Sequence, residues 1–213
     1  MRSTMTGTLF FCSVLAAPAH STTGKVDRLV LREKSVFGLF ESMDATGCII
    51  TDVTVTASND LQSQTDGLVV QSQQIALFVG QFDICRGLPV LFADGLAVPT
   101  SFTVDNGLHS ATLTATVPMV DETLTCPFNA TVNLSFTGRG SMTSNSDVTI
   151  DRAAPALSVR SQFHGDMRDA SGFGTIALSG HPVLANVANA ISSGSYLSMI
   201  QNLRNSTTTV SAR

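Results

Sequence analysis

Gly47-Cys48-Ile49-Ile50-Thr51-Asp52-Val53-Thr54-Val55-Thr56-Ala57 is the segment from which the architecture can be worked out. In an extended chain Ile49, Thr51, Val53, Val55 and Ala57 share one side, and Cys48, Ile50, Asp52, Thr54 and Thr56 the other. This two-residue period predicts a half-buried β-strand. Ile75 to Cys85 has the same character, and the polar run Ser58 to Gly67 between them reads as a loop. With Cys48 set opposite Cys85, Ile49 faces Ile84, Thr51 faces Phe82, Val53 faces Gly80, Val55 faces Phe78 and Ala57 faces Ala76. That shared face is apolar, and directly opposed residues lie within disulfide reach. The register therefore favours a Cys48–Cys85 bond with Cys126 as a free thiol. An alternative in which Cys126 takes one of these partners stays open, because connectivity is not fixed by sequence.

Further along, His109, Ala111, Leu113, Ala115 and Val117 alternate with serine and threonine, and Phe128, Ala130, Val132, Leu134 and Phe136 alternate with polar residues. Setting Val117 opposite Phe128 makes a second hairpin with coincident apolar faces. Strands are also predicted over Val26 to Arg32, Ser35 to Met43, Leu88 to Ala97, Phe102 to Val104, Asp147 to Asp151, Leu157 to Phe163, Phe173 to Leu178 and Tyr196 to Ile200. The spacing of Val183, Leu184, Val187, Ala188 and Ile191 allows one short helix near the C-terminus. The expected fold is all-β: an antiparallel β-sandwich or partly closed β-barrel of about 8–10 strands, by the spacing of the strand signals.

Domain organisation follows from composition. Arg2, the apolar run Thr8 to Ala17 and Ala17-Pro18-Ala19 read as a signal peptide over residues 1–19. A polar lead (20–25), a single β-rich domain (26–200) and a flexible tail (201–213) follow. The protein is expected to be secreted, extracellular or periplasmic, with no membrane span after signal removal. Cys12 leaves with the signal, so Cys48, Cys85 and Cys126 remain, an odd number in an oxidising compartment. The net charge of −4 argues against a nucleic-acid partner, which would need a basic surface.

Several pieces of the sequence resemble a loosely defined group of uncharacterised secreted bacterial proteins. They are Asp44-Ala45-Thr46-Gly47-Cys48, Gln81-Phe82-Asp83-Ile84-Cys85-Arg86-Gly87, Ser110-Ala111-Thr112-Leu113-Thr114-Ala115, Leu134-Ser135-Phe136-Thr137-Gly138-Arg139-Gly140 and Arg168-Asp169-Ala170-Ser171-Gly172. The resemblance spans roughly Val36 to Ile200. It implies a secreted β-rich domain with two paired cysteines, and it carries no activity.

Chemical signatures are sparse. There is no nucleophile elbow, no zinc-protease helix motif and no phosphate loop. Gly138-x-Gly140 and Gly172-x-Gly174 lack the third glycine of a dinucleotide loop and read as turns or bulges. His109 falls on an apolar face and reads as a core or rim histidine. His164-Gly165-Asp166-Met167-Arg168-Asp169 is the densest polar cluster and reads as a turn. There His164, Asp166 and Asp169 are the candidate metal ligands, and His164 with Asp166 could form an acid–base pair. No cofactor is expected. The reading favours a non-catalytic binding or surface-associated module with a cell-surface or extracellular partner, its contacts on loops or a wet sheet face. One alternative is a β-barrel carrying a small apolar ligand in a cavity lined by Phe78, Phe82, Phe128 and Phe136. The other is a hydrolase using the His164–Asp169 turn.

Overall fold

The alternation of residues 47–57 recurs along the chain, and the computed structural model turns it into ten strands. The structure describes residues 26–121, 128–154, 157–179 and 187–208. The strands are Val26–Met43 (β1), Ile49–Gln64 (β2), Val69–Asp83 (β3), Leu88–Ala97 (β4), Ser101–Val104 (β5), Ser110–Asp121 (β6), Phe128–Gly138 (β7), Thr143–Ala154 (β8), Leu157–Ser179 (β9) and Val187–Thr208 (β10). No helix occurs among the described residues. The fold is all-β and antiparallel, as the sequence leads one to expect.

Hydrogen-bonded neighbours run β10-β1-β2-β3-β4-β6-β7-β9-β8, and β10 also pairs β9. Eight of the strands thus follow one another in a ring, which leaves β8 at a sheet edge and β5 beside β6. The seam between β4 and β6 is thin, with Ala93 opposite Asp121 and Asp94 opposite Val120. β9 is shared along its length. Its first half pairs β8 and its second half pairs β7, while β10 runs along its other side. The chain passes from β7 to β8 through Gly138-Arg139-Gly140, where the Gly138 amide donates to the His109 carbonyl and the Arg139 amide to the Asp169 carbonyl. Gly138-x-Gly140 is therefore a turn, and Gly172 and Gly174 lie opposite the irregular stretch of β10.

The inward residues form one apolar core. Val36, Phe40, Val53, Val55, Ile75, Leu77, Val79, Leu91, Leu113, Leu134, Phe136, Ile176 and Leu197 are all buried. Phe40 and Phe136 meet edge to face with ring centroids 6.2 Å apart. Gly38 and Gly172 make room for them. A Cβ at Gly172 would lie 2.8 Å from the Phe136 ring, and one at Gly38 would lie 2.8 Å from Phe40. Leu108 closes one end of the core, and two cations hold its turn. Lys34 Nζ donates to the Val104 carbonyl (3.0 Å) and Asn106 Oδ1 (2.6 Å). Arg168 donates to the carbonyls of Gly140 and Gly107.

Several boundaries differ from the sequence reading. The two expected strands over 26–43 are one, as are the two over 157–179. The expected loop 58–67 is strand as far as Gln64, because it pairs β1 on one side and β3 on the other. The short helix is not formed in its described part. Residues 187–191 open β10, while 183–186 lie outside the described residues. The stretch expected as a flexible tail begins inside β10, which reaches Thr208 between β1 and β9. The expected signal peptide, the whole of the polar lead and Cys126 lie outside the described residues.

The disulfide Cys48–Cys85 is present, with a Cα–Cα distance of 5.2 Å. The ladder beside it is one residue out from the expected register: Ile49 faces Asp83, Thr51 faces Gln81, Val53 faces Val79 and Val55 faces Leu77. The bond joins two turns at the open end of this hairpin. In the first, Asp44 Oδ1 accepts from the amides of Cys48 (3.0 Å) and Ile49 (2.9 Å), and Oδ2 accepts from the Thr46 hydroxyl (2.6 Å). The Thr46 hydroxyl and these amides hold the Asp44 carboxyl below its ordinary pKa. Gly47 takes φ +74°, a conformation that costs glycine little. In the second turn Asp83 accepts from the Arg86 amide, and the Ile84 amide donates to the Cys48 carbonyl.

The outer face of β1 and β2 twice opposes two carboxylates, Glu33 with Asp60 and Glu41 with Asp52. Burial, then Asp60, raise the Glu33 pKa, with a smaller opposing effect of the Ser35 hydrogen bond. A raised folded pKa means that Glu33 contributes stability below its ordinary value of 4.5 and loses it as pH rises through the folded value. Glu33→Gln is therefore expected to raise the melting temperature at pH 7, by a gain of about 0.2–1 kcal/mol for relieving a like-charge cross-strand pair. The gain should vanish below pH 4, as thermal melts at the two pH values would show.

Candidate functional site

On β1 the inward side chains change from Phe40 and Val36 to Lys34, Arg32, Val30 and Arg28, so the inner sheet face becomes more polar beyond the core. The same row crosses Met199 and Gln201 on β10 and reaches Asp166 and His164 on β9. β8 completes it, with Ser144 opposite Asp166 and Ser146 opposite His164. The His164–Asp169 segment is thus strand, not the expected turn. Its glycine fits inside a strand because Gly165 lies beneath the Phe163 ring, 3.0 Å from where a Cβ would stand.

Strand alternation puts His164 and Asp166 on one face, and pairing brings two serines to them. Ser144 Oγ donates to Asp166 Oδ1 at 2.5 Å. His164 Nε2 lies 3.1 Å from Asp166 Oδ2, and Ser146 Oγ lies 2.7 Å from His164 Nδ1. Asp166 is 5% exposed, while the His164 side chain keeps 48% of its surface. A carboxylate only accepts, so the Asp166 contact places the imidazole proton on Nε2. In the neutral imidazole Nδ1 is then the acceptor for the Ser146 hydroxyl. The arrangement is a serine–imidazole–carboxylate chain, with the carboxylate fixed by a second serine. Ser144 and Ser146 have no local signal in the sequence. Only the β8–β9 register reveals them.

Asp169 lies on the opposite face of β9. There an open depression of about 590 Å³ is lined by Phe37, Tyr196, Arg139 and Asp169 around Gly140, Ala170 and Gly194. Phe37 and Tyr196 stack with centroids 5.1 Å apart. Their rings form an apolar wall beside a guanidinium and a carboxylate, and the small residues keep the floor low. A second cavity, of about 290 Å³, lies on the inner face between Arg28, Val30, Arg32, Leu61 and Ser63.

The structure separates the three residues expected as metal ligands, since Asp169 faces away from His164 and Asp166. Among the described residues no group of three His, Cys, Asp or Glu side chains could hold a metal ion. His109 is exposed in the turn before β6, where its amide donates to Asp105 Oδ1 at 2.6 Å. Phe78 and Phe82 point outward and are 44% and 40% exposed, whereas Phe128 and Phe136 are core residues. These four rings therefore do not line a common cavity. Phe78 instead stacks with Phe92 on the outer face, at 6.4 Å. No helix among the described residues is long and apolar enough to cross a membrane. Compared with models of known protein families and with curated proteins, the chain matches none.

Proposed function

We infer that this chain is an exported binding module that takes its ligand on the outer sheet face at Phe37 and Tyr196. The observation that supports this reading is the depression itself, where a stacked aromatic pair stands beside Arg139 and Asp169 over a floor of small residues. Binding sites combine an apolar surface with a few polar groups that fix orientation. An aromatic face accepts the C–H-rich side of a ring, while a guanidinium and a carboxylate supply donors and acceptors for hydroxyls at its rim. A saccharide of an extracellular surface has that chemistry. The disulfide fits the oxidising compartment that export implies.

Tyr196 is the only tyrosine and the chain has no tryptophan, so its intrinsic fluorescence reports this depression alone. Titration with maltotriose, cellotriose and chitotriose is expected to give a saturable change with at least one of them. Arg139→Ala should abolish it at unchanged melting temperature. A flat response to all three up to about 10 mM, weaker than the usual range of specific recognition, would remove the saccharide reading.

A further inference from the structure

We propose that Ser146 is a nucleophilic serine, with His164 as its general base and Asp166 as a positioning residue, and that it accepts acyl groups from small activated esters. This site is separate from the depression, since Ser146 of β8 and the depression lie on opposite faces of the sheet. Three observations carry it.

The first is the order of the hydrogen bonds. Ser146 Oγ meets Nδ1 at 2.7 Å, and Nε2 meets Asp166 Oδ2 at 3.1 Å. Nucleophile, base and orienting carboxylate follow in the sequence that acyl transfer needs, with the two ring nitrogens in exchanged roles. The second is that the buried carboxylate does not need Ser146. Its oxygens are occupied by Ser144 and His164, so the Ser146 bond is an addition on the far side of the ring. The third is access and backbone direction. Ser146 is exposed on β8, the edge strand. The Val148 amide donates to the Asp147 side chain at 2.9 Å and so points away from the β9 ladder. By the two-residue repeat, the Ser146 amide faces the same free edge. It is placed to donate to an oxyanion formed at a carbonyl carbon beside its own Oγ.

The reaction balances without a further reagent. Ser146 Oγ forms a bond to the ester carbonyl carbon as Nδ1 takes the hydroxyl proton. The tetrahedral adduct collapses, the carbon–alkoxide bond breaks and Nδ1 returns the proton to the departing alcohol. Water then attacks the acyl-serine by the same transfers, which releases the acid and restores the hydroxyl. The open edge suits an unhindered ester and offers little to hold a long chain.

The test uses the intact protein with a fluorophosphonate probe, followed by peptide mapping, and with p-nitrophenyl acetate as substrate. Labelling is expected on Ser146. It should be absent in Ser146→Ala and about 100-fold slower in His164→Gln, the loss expected for a general base. Acetate release should fall by the same factor in both, while Ser144→Ala should slow it less. Melting temperatures show that each variant is folded, and the wild-type result stands without them. No adduct on wild-type Ser146, or an adduct formed as fast in His164→Gln, would overturn the assignment.

Discussion

Phe136→Ala is expected to cost about 3–5 kcal/mol, the range for emptying a buried aromatic site. Phe136 is 1% exposed and projects from β7 into the core, where its ring meets that of Phe40 of β1 edge to face. Its remaining surroundings include Gly38 and Gly172, which lack side chains that could swing into the space. The cavity would persist because the backbone around it is held by ladders on both sides, so the loss is the transfer energy plus the void. A domain stabilised by roughly 5–15 kcal/mol would then lie near its unfolding limit. Urea denaturation should show a lower midpoint at unchanged slope. Phe136→Leu should recover more than half of the loss. A cost below about 1 kcal/mol for alanine would show that the rings do not pack as described.

The second large effect concerns the disulfide. Cys48→Ala/Cys85→Ala is expected to lower stability by roughly 3–4 kcal/mol, the loop-entropy value for a sequence separation of 37. The bond lies outside the ladder and joins two turns that Asp44 and Asp83 already organise. The folded hairpin should therefore survive its removal, with the effect falling on the unfolded chain, which gains freedom. Melting with and without reductant measures it. A wild-type curve unmoved by complete reduction, verified by thiol titration, would contradict the expectation.

The faces of most strands are legible in the sequence, but their exact partners are less so, and β3 shows why. Ile75, Leu77 and Val79 point inward, yet Ala76, Phe78 and Phe82 on the outer side are also apolar. Alternation could not choose between them, and placing the cysteines directly opposite selected the wrong side. A one-residue slip exchanges faces. In the β6–β7 hairpin the slip was two residues, with Leu113 facing Leu134 instead of Val132, so the inward faces were right. The sequence singled out His164 and Asp166 but not their serines. Ser144 and Ser146 stand among Ser141, Thr143, Asn145 and Asp147, where nothing local distinguishes them. Their role comes from a neighbour on another strand. The helix expectation failed for a similar reason: the apolar spacing of 183–191 allowed a helix, but pairing with β9 claimed Val187 onward.

The β1–β10 pairing sets the order in which the molecule can be made. Val26 meets Thr207 and Val36 meets Leu197, so the first strand gains its second neighbour only from the last. While the chain is being synthesised, one edge of β1 has no native partner to bond. The local hairpins can form early, but closure waits for the final strand and bears the entropy of joining distant segments. Folding dominated by such non-local pairing runs on millisecond-to-second times. A chain of this design cannot complete its ring before β10 has been delivered, and until then the open edge of β1 is a template on which a second chain could pair.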